Sequence, residues 1–156
     1  MKQKRRKPRP QPPRYYWWDF MKKIVTMYPE RKKELQALRA QKITASISGM
    51  PRPSGESRAV ENLASRCLPY QEQKEHDAVM LAIKRTKNMP DGKLRMAMVR
   101  LTLWGNYNIA GAAMQLNISE RTAKRYRWQF ILLVGRMYGY LTEEQYRAAV
   151  KKDNPP

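Results

Sequence analysis

The chain has 156 residues, with 32 Lys plus Arg against 13 Asp plus Glu, and its formal charge of +19 draws it toward polyanions at long range. No apolar run approaches the roughly 20 residues that span a bilayer, and the basic N-terminus has no apolar core like that of a secretory signal, so membrane-spanning and exported classes are set aside and a cytoplasmic protein is expected. The single cysteine, Cys67, closes no internal disulfide and reads as a structural thiol in a reducing compartment.

Residues 1 to 14, MKQKRRKPRPQPPR, carry seven basic residues, four prolines and no acid, so they bury no core and read as a disordered basic arm. Such an arm lies along phosphates, enters a minor groove or serves only as a solubilising tail. From Tyr15 the composition changes to YYWWDFMKKIVTMY, an aromatic-rich short helix. Tyr28-Pro29 ends it, and Pro29 occupies the first turn of a second helix, PERKKELQALRAQ, in which Leu35 and Leu38 share a face. The two helices form an N-terminal segment over residues 15 to 43. Adjacent Trp17 and Trp18 cannot both face one narrow helix stripe. Burying both therefore calls for two partners, such as the chain's own core and a second subunit in a homodimer, with base stacking as the alternative use. The excess apolar surface from Tyr15 to Tyr28 suggests docking to a second subunit or to RNA polymerase.

Residues 44 to 57, TASISGMPRPSGES, combine Ser, Gly and Pro and read as a linker that lets the N-terminal helices move relative to residues 58 to 150. A helix is expected from about Arg58 to Cys67, and another from Tyr70 to Asn88 with Val79, Ala82, Ile83 and Thr86 on its inner face. Pro90-Asp91-Gly92 is a turn. A further helix, KLRMAMVRLTLW, places Met96, Val99 and Leu103 at helical spacing, and Gly105 ends it.

Asn108 to Gln129, NIAGAAMQLNISERTAKRYRWQ, has helix-turn-helix spacing. Ala112, Leu116, Ile118, Ala123 and Tyr126 fall at the apolar contacts of two crossing helices, and Ala113 is small enough for close approach. Asn117 suits the left-handed turn position and Ser119 the cap of the next helix. That helix exposes a basic face, and Ser119, Arg121, Thr122, Lys124, Arg125, Arg127 and Gln129 are its expected contacts to double-stranded DNA. An ordinary helical hairpin is the plainer alternative. The helix continues through Phe130, Ile131, Val134, Met137 and Tyr138, on the order of 30 Å at about 1.5 Å per residue, with its second half in the core. A C-terminal helix follows Leu141, with Thr142 and Gln145 spaced as a capping box, and residues 151 to 156 form a tail. No strand pattern or internal repeat occurs, so the fold is expected to be all-α, N-terminal helices joined by a flexible linker to a helical DNA-binding domain.

These features together resemble the RinA-type transcriptional activators of phages and prophages of Gram-positive bacteria. The residues that carry the resemblance are the Tyr28-Pro29-Glu30 helix start, the Ser/Pro linker, the long middle helix, and the run from Met89-Pro90 through NISERTAKRYRWQFILLVGRMYG. It covers roughly residues 22 to 141 and is most specific from Ile118 to Phe130. The family's Ser cap, Thr and basic positions map onto Ser119, Thr122, Lys124 and Arg125, and its C-terminal half looks like region 4 of bacterial sigma factors. The resemblance implies late-gene activation by promoter binding together with bacterial RNA polymerase, in a host-cell cytoplasm and associated with the nucleoid. A small terminase subunit of a phage packaging motor, which also joins a helix-turn-helix to oligomerising helices, is the alternative.

An enzyme is not expected, and neither is a cofactor. Nucleases and recombinases cluster carboxylates for a metal or pair a nucleophile with a base. The only cluster here is Glu72, Glu75, His76 and Asp77. Glu72 and His76, four apart, share a helix face that suits a metal, but Glu75 and Asp77 point elsewhere, and the expected arrangement is a solvated face with ion pairing.

Overall fold

The computed structural model describes residues 15–40 and 68–153, and those residues are helical with no strand among them. The elements are α1 (Trp18–Ala40), α2 (Tyr70–Lys87), α3 (Gly92–Val99), which runs on as a π-helical turn (Arg100–Trp104), α4 (Ile109–Gln115), α5 (Glu120–Tyr138) and α6 (Glu143–Asp153). The basic arm, the linker over 44 to 57, the helix expected over 58 to 67 and Cys67 lie outside the described residues.

Helix α5 is the axis, and it touches every other helix. Its seven residues from Gln129 to Gly135 are all buried, so this half is enclosed on every side, as a central core helix must be. Around it close Met21, Ile24 and Val25 of α1, Val79 and Ala82 of α2, Met96 and Val99 of α3, Leu103 of the π turn and Tyr146 of α6. The expected inner face of α2 is observed, with Val79, Ala82 and Thr86 buried and Ile83 half-buried. The capping box of α6 forms in full: Thr142 N donates to Gln145 Oε1 at 3.0 Å and Gln145 N donates to Thr142 Oγ1 at 3.2 Å. That helix runs to Asp153 rather than giving way to a tail at residue 151.

The N-terminal segment departs from expectation in two ways. It is one helix rather than two, with Pro29 inside it. Proline has no N–H, so the Val25 carbonyl four residues back loses its helical partner, and mid-helix prolines are ordinarily costly for that reason. Here the Trp104 indole supplies the missing donor, its Nε1 donating to Val25 O at 2.8 Å. A side chain from the π turn thus completes the ladder of α1.

The segment is also integral to the core rather than an appended unit. Trp17 is 3% exposed and belongs to the same cluster as Phe130 and Leu133. It stacks on Tyr140, with ring centroids 5.7 Å apart, and its indole covers Gly135, where an added Cβ would lie 2.7 Å from Trp17 Cζ3. Trp18 is half-buried and tilts against Trp128 at 6.4 Å. Trp17 precedes the first helical residue, so the pair escapes the one-stripe restriction, and both rings pack on the chain itself. Much of the apolar surface from Tyr15 to Tyr28 is taken up in this way, and no second subunit is needed to hide Trp17, but Tyr16 is 87% exposed and Phe20 37% exposed.

The cluster on α2 is likewise not a solvated face. Glu75 is 5% exposed and His76 7% exposed. Glu75 pairs with Arg31 of α1, and the His76 ring stacks on Tyr28 at 5.2 Å. Burial pushes the Tyr28 hydroxyl above its ordinary pKa. No group of three His, Cys, Asp or Glu among the described residues is placed to hold a metal.

Candidate nucleic-acid interface

The first link is the turn between α4 and α5. Asn108 caps α4, its side-chain oxygen accepting from Gly111 N at 2.7 Å. At the other end Asn117 takes φ 52, the left-handed conformation that Asn tolerates better than most residues. Ile118 N then donates to Ala113 O at 3.0 Å and Asn117 N to Met114 O at 3.1 Å, the paired bonds of a Schellman stop. Two residues later Ser119 Oγ accepts from Thr122 N at 3.1 Å and lies 2.9 Å from Thr122 Oγ1. The end of one helix and the start of the next are thus both fixed by local hydrogen bonds.

Packing sets the angle at which α5 is presented. Ala112, Ala113, Ala123 and Tyr126 form a second buried cluster with Met98 of α3, flanked by Ile109, Leu116 and Ile118. Arg95 of α3 locks the underside of α5. Its guanidinium lies 4.4 Å from the Tyr126 ring centroid, its Nη1 donates to Gln129 Oε1 at 2.6 Å, and its Nε donates to Pro90 O at 3.0 Å. The Tyr126 hydroxyl donates to Asp91 Oδ2 at 3.2 Å. Asp91 itself sits at φ 58 beside Gly92, where a Cβ would meet the Lys87 carbonyl oxygen at 2.4 Å.

The outer face follows from helical phase. At about 100° per residue, Arg121, Lys124, Arg125 and Trp128 fall within an arc of about 100°. Arg121 and Lys124 are exposed, and Arg125 and Trp128 half-buried. Lys124 Nζ is 3.3 Å from Glu120 Oε2, an exposed pair of small energetic weight that a phosphate displaces readily. The Arg125 guanidinium lies 5.7 Å from the Tyr126 ring centroid.

Two of the seven residues expected at the interface are placed otherwise, Gln129 and Arg127. Gln129 is 6% exposed and occupied by Arg95, so it belongs to the interior. Arg127 lies about 160° around the helix from Arg125 at about 100° per residue, too far to share its face. Burial lowers its pKa, and its Nε has no hydrogen-bond partner among the described residues. Ser119 is exposed but its hydroxyl is engaged as a cap. Thr122 is half-buried at the edge of the arc and joined to Ser119. Arg95 and Trp128 went unmarked in the sequence. Trp128 lies three residues beyond Arg125, a spacing that would have flagged it, whereas nothing local marks Arg95.

No protein-family model, curated protein or solved structure matches this chain. No helix among the described residues is long and apolar enough to cross a membrane.

Proposed function

We propose that the chain is a sequence-specific regulator of transcription that binds double-stranded DNA through the N-terminal half of α5, a promoter-bound activator of the RinA type working with RNA polymerase. The observation that supports this most is the arc of Arg121, Lys124 and Arg125 on a helix whose other half is the buried axis of the fold. A major groove admits one α-helix, and a reading helix must hold a fixed attitude to meet base edges. Here α5 is held by the Schellman stop and Ser119 cap on one side and by Arg95 beneath, so the cations are presented without a large ordering cost on binding. Arg121 and Arg125 are assigned to base edges in the groove, Lys124 to the adjoining phosphate, and Arg127 and Gln129 to neither. The formal charge of +19 adds affinity that does not depend on sequence.

Selection of duplexes from a random pool by the full chain tests the proposal. A regulator of this kind enriches a defined motif of a few base pairs. Enrichment of no motif, at a salt concentration where the pool still binds, would leave only polyanion affinity.

A further inference from the structure

A groove of about 680 Å³ runs between α1, α2 and the end of the π turn, away from the residues assigned to DNA. Its floor is apolar: Leu35 of α1, Met80 and Ile83 of α2, Met96 of α3 and Trp104. Met80 is 44% exposed there, a large apolar side chain left in water. The rim carries five cations, Lys32, Arg39, Lys84, Lys87 and Arg100, all exposed, and no carboxylate is among the described residues that line it. An apolar floor within a cationic rim has the form of a groove that takes an amphipathic helix.

We propose that this groove docks an acidic amphipathic helix of a partner protein, a second surface whose existence does not depend on the DNA-binding reading. The walls have the right form. Tyr28, Lys32, Leu35 and Arg39 recur on one face of α1, and His76, Met80, Ile83 and Lys87 on one face of α2. Each wall extends over three turns, about 16 Å at about 1.5 Å per residue. A helix laid between them presents anchors at i, i+3 or i+4, and i+7 to the floor and carboxylates on its flanks to the rim. A nucleic-acid backbone satisfies the five cations but has nothing to fill the floor. Trp104 offers no base edge a donor, because its indole N–H is engaged by Val25 O.

The probe is a fluorescein-labelled, helix-stapled peptide of about three turns, with leucines at i, i+3 and i+7 and glutamates beside them, titrated by anisotropy against the full chain. Saturable binding is expected, weakened at least about tenfold when glutamines replace the glutamates, or when Lys84→Glu and Lys87→Glu are combined in the protein. Met80→Asp should weaken it through the floor without changing the rim. Lys22→Glu with Lys23→Glu, the same change in net charge on exposed residues outside the groove, should leave it within about twofold. Melting temperatures establish that each variant is folded. The proposal is overturned if the peptide does not bind, if the glutamine peptide binds equally well, or if the two lysine pairs act alike. It is also overturned if the paired groove lysine variant lowers duplex affinity well beyond the loss in the charge-matched Lys22→Glu with Lys23→Glu, which makes the groove a phosphate contact, or if the groove variants convert a dimer to a monomer in sedimentation, which makes a second copy the occupant.

Discussion

The bond from Trp104 Nε1 to Val25 O is in place because Pro29 cannot make it, and this gives a sharp prediction about coupling. Trp104→Phe keeps a ring against Tyr28, whose centroid is 5.8 Å away, but removes the donor and leaves the Val25 carbonyl without a partner. An orphaned, partly buried carbonyl costs about 1–3 kcal/mol. Pro29→Ala restores the N–H that lies four residues along from Val25, so the carbonyl regains a helical partner and no longer depends on the indole. In that background Trp104→Phe loses only packing, a loss common to both arms that cancels in a double-mutant cycle. The interaction energy is therefore expected at about 1–2 kcal/mol, with the tryptophan substitution milder in the alanine background. Urea unfolding of the four proteins measures it, and thermal melts report a shift of roughly 4 °C per kcal/mol for a domain of this size. Additive losses would show that the indole does not complete the helix and that Pro29 is accommodated by other means.

Three further outcomes are expected. Gly135→Ala raises helix propensity by about 1 kcal/mol, yet its Cβ would stand 2.7 Å from the Trp17 ring, so a net loss of stability is expected, and a gain in melting temperature would contradict the packing described. Desolvation opposes ionisation of Glu143, but the hydrogen bond from Arg147 and the charges of Arg136, Arg85 and Arg147 prevail and hold its carboxyl below the ordinary range. A carboxyl depressed on folding contributes stability that is complete above its unfolded pKa and lost as pH falls through the folded value, so Glu143→Gln should destabilise near neutral pH and converge with the wild type in acid; a constant gap in urea melts across that range is the opposing result. Deleting residues 1 to 14, which carry seven positive charges, should reduce the slope of log K against log salt for DNA binding by about 0.9 for each phosphate that the arm neutralises, without altering the preferred motif; an unchanged slope means that the arm does not touch DNA.

What the sequence made legible is what short-range chemistry determines. The Asn117 turn, the Ser119 cap and the Thr142 and Gln145 box each depend on atoms within a few residues, and all of them form. Helix α5 was readable through its second half because its apolar run has no polar side to expose. The failures have the opposite character. The helix through Pro29 depends on Trp104, 79 positions away from the carbonyl it serves, and no local rule anticipates that donor. Glu75 is buried because Arg31, 44 positions away, meets it, so a cluster with the composition of a wet face became part of an interface between helices. Gln129 is in phase with Thr122 on the helical wheel, and only the arrival of Arg95 from α3 removes it from the candidate interface. The Trp17 and Trp18 pair escapes the one-stripe rule because the helix start falls between them, a boundary that one-dimensional patterns place poorly.

The central claim is that α5 reads sequence rather than merely attracting a polyanion, and the affinity ratio between a selected duplex and a random duplex in the Arg125→Ala variant tests it most directly. A good bidentate arginine contact contributes roughly 1–3 kcal/mol of discrimination, so the ratio should fall by about five- to 150-fold while random-duplex affinity changes little. Arg127→Ala, on the other side of the helix, should leave the ratio nearly unchanged. Equal losses on both duplexes for Arg125→Ala, and likewise for Arg121→Ala, would make the exposed arc a phosphate contact and contradict the reading of α5 as a recognition helix.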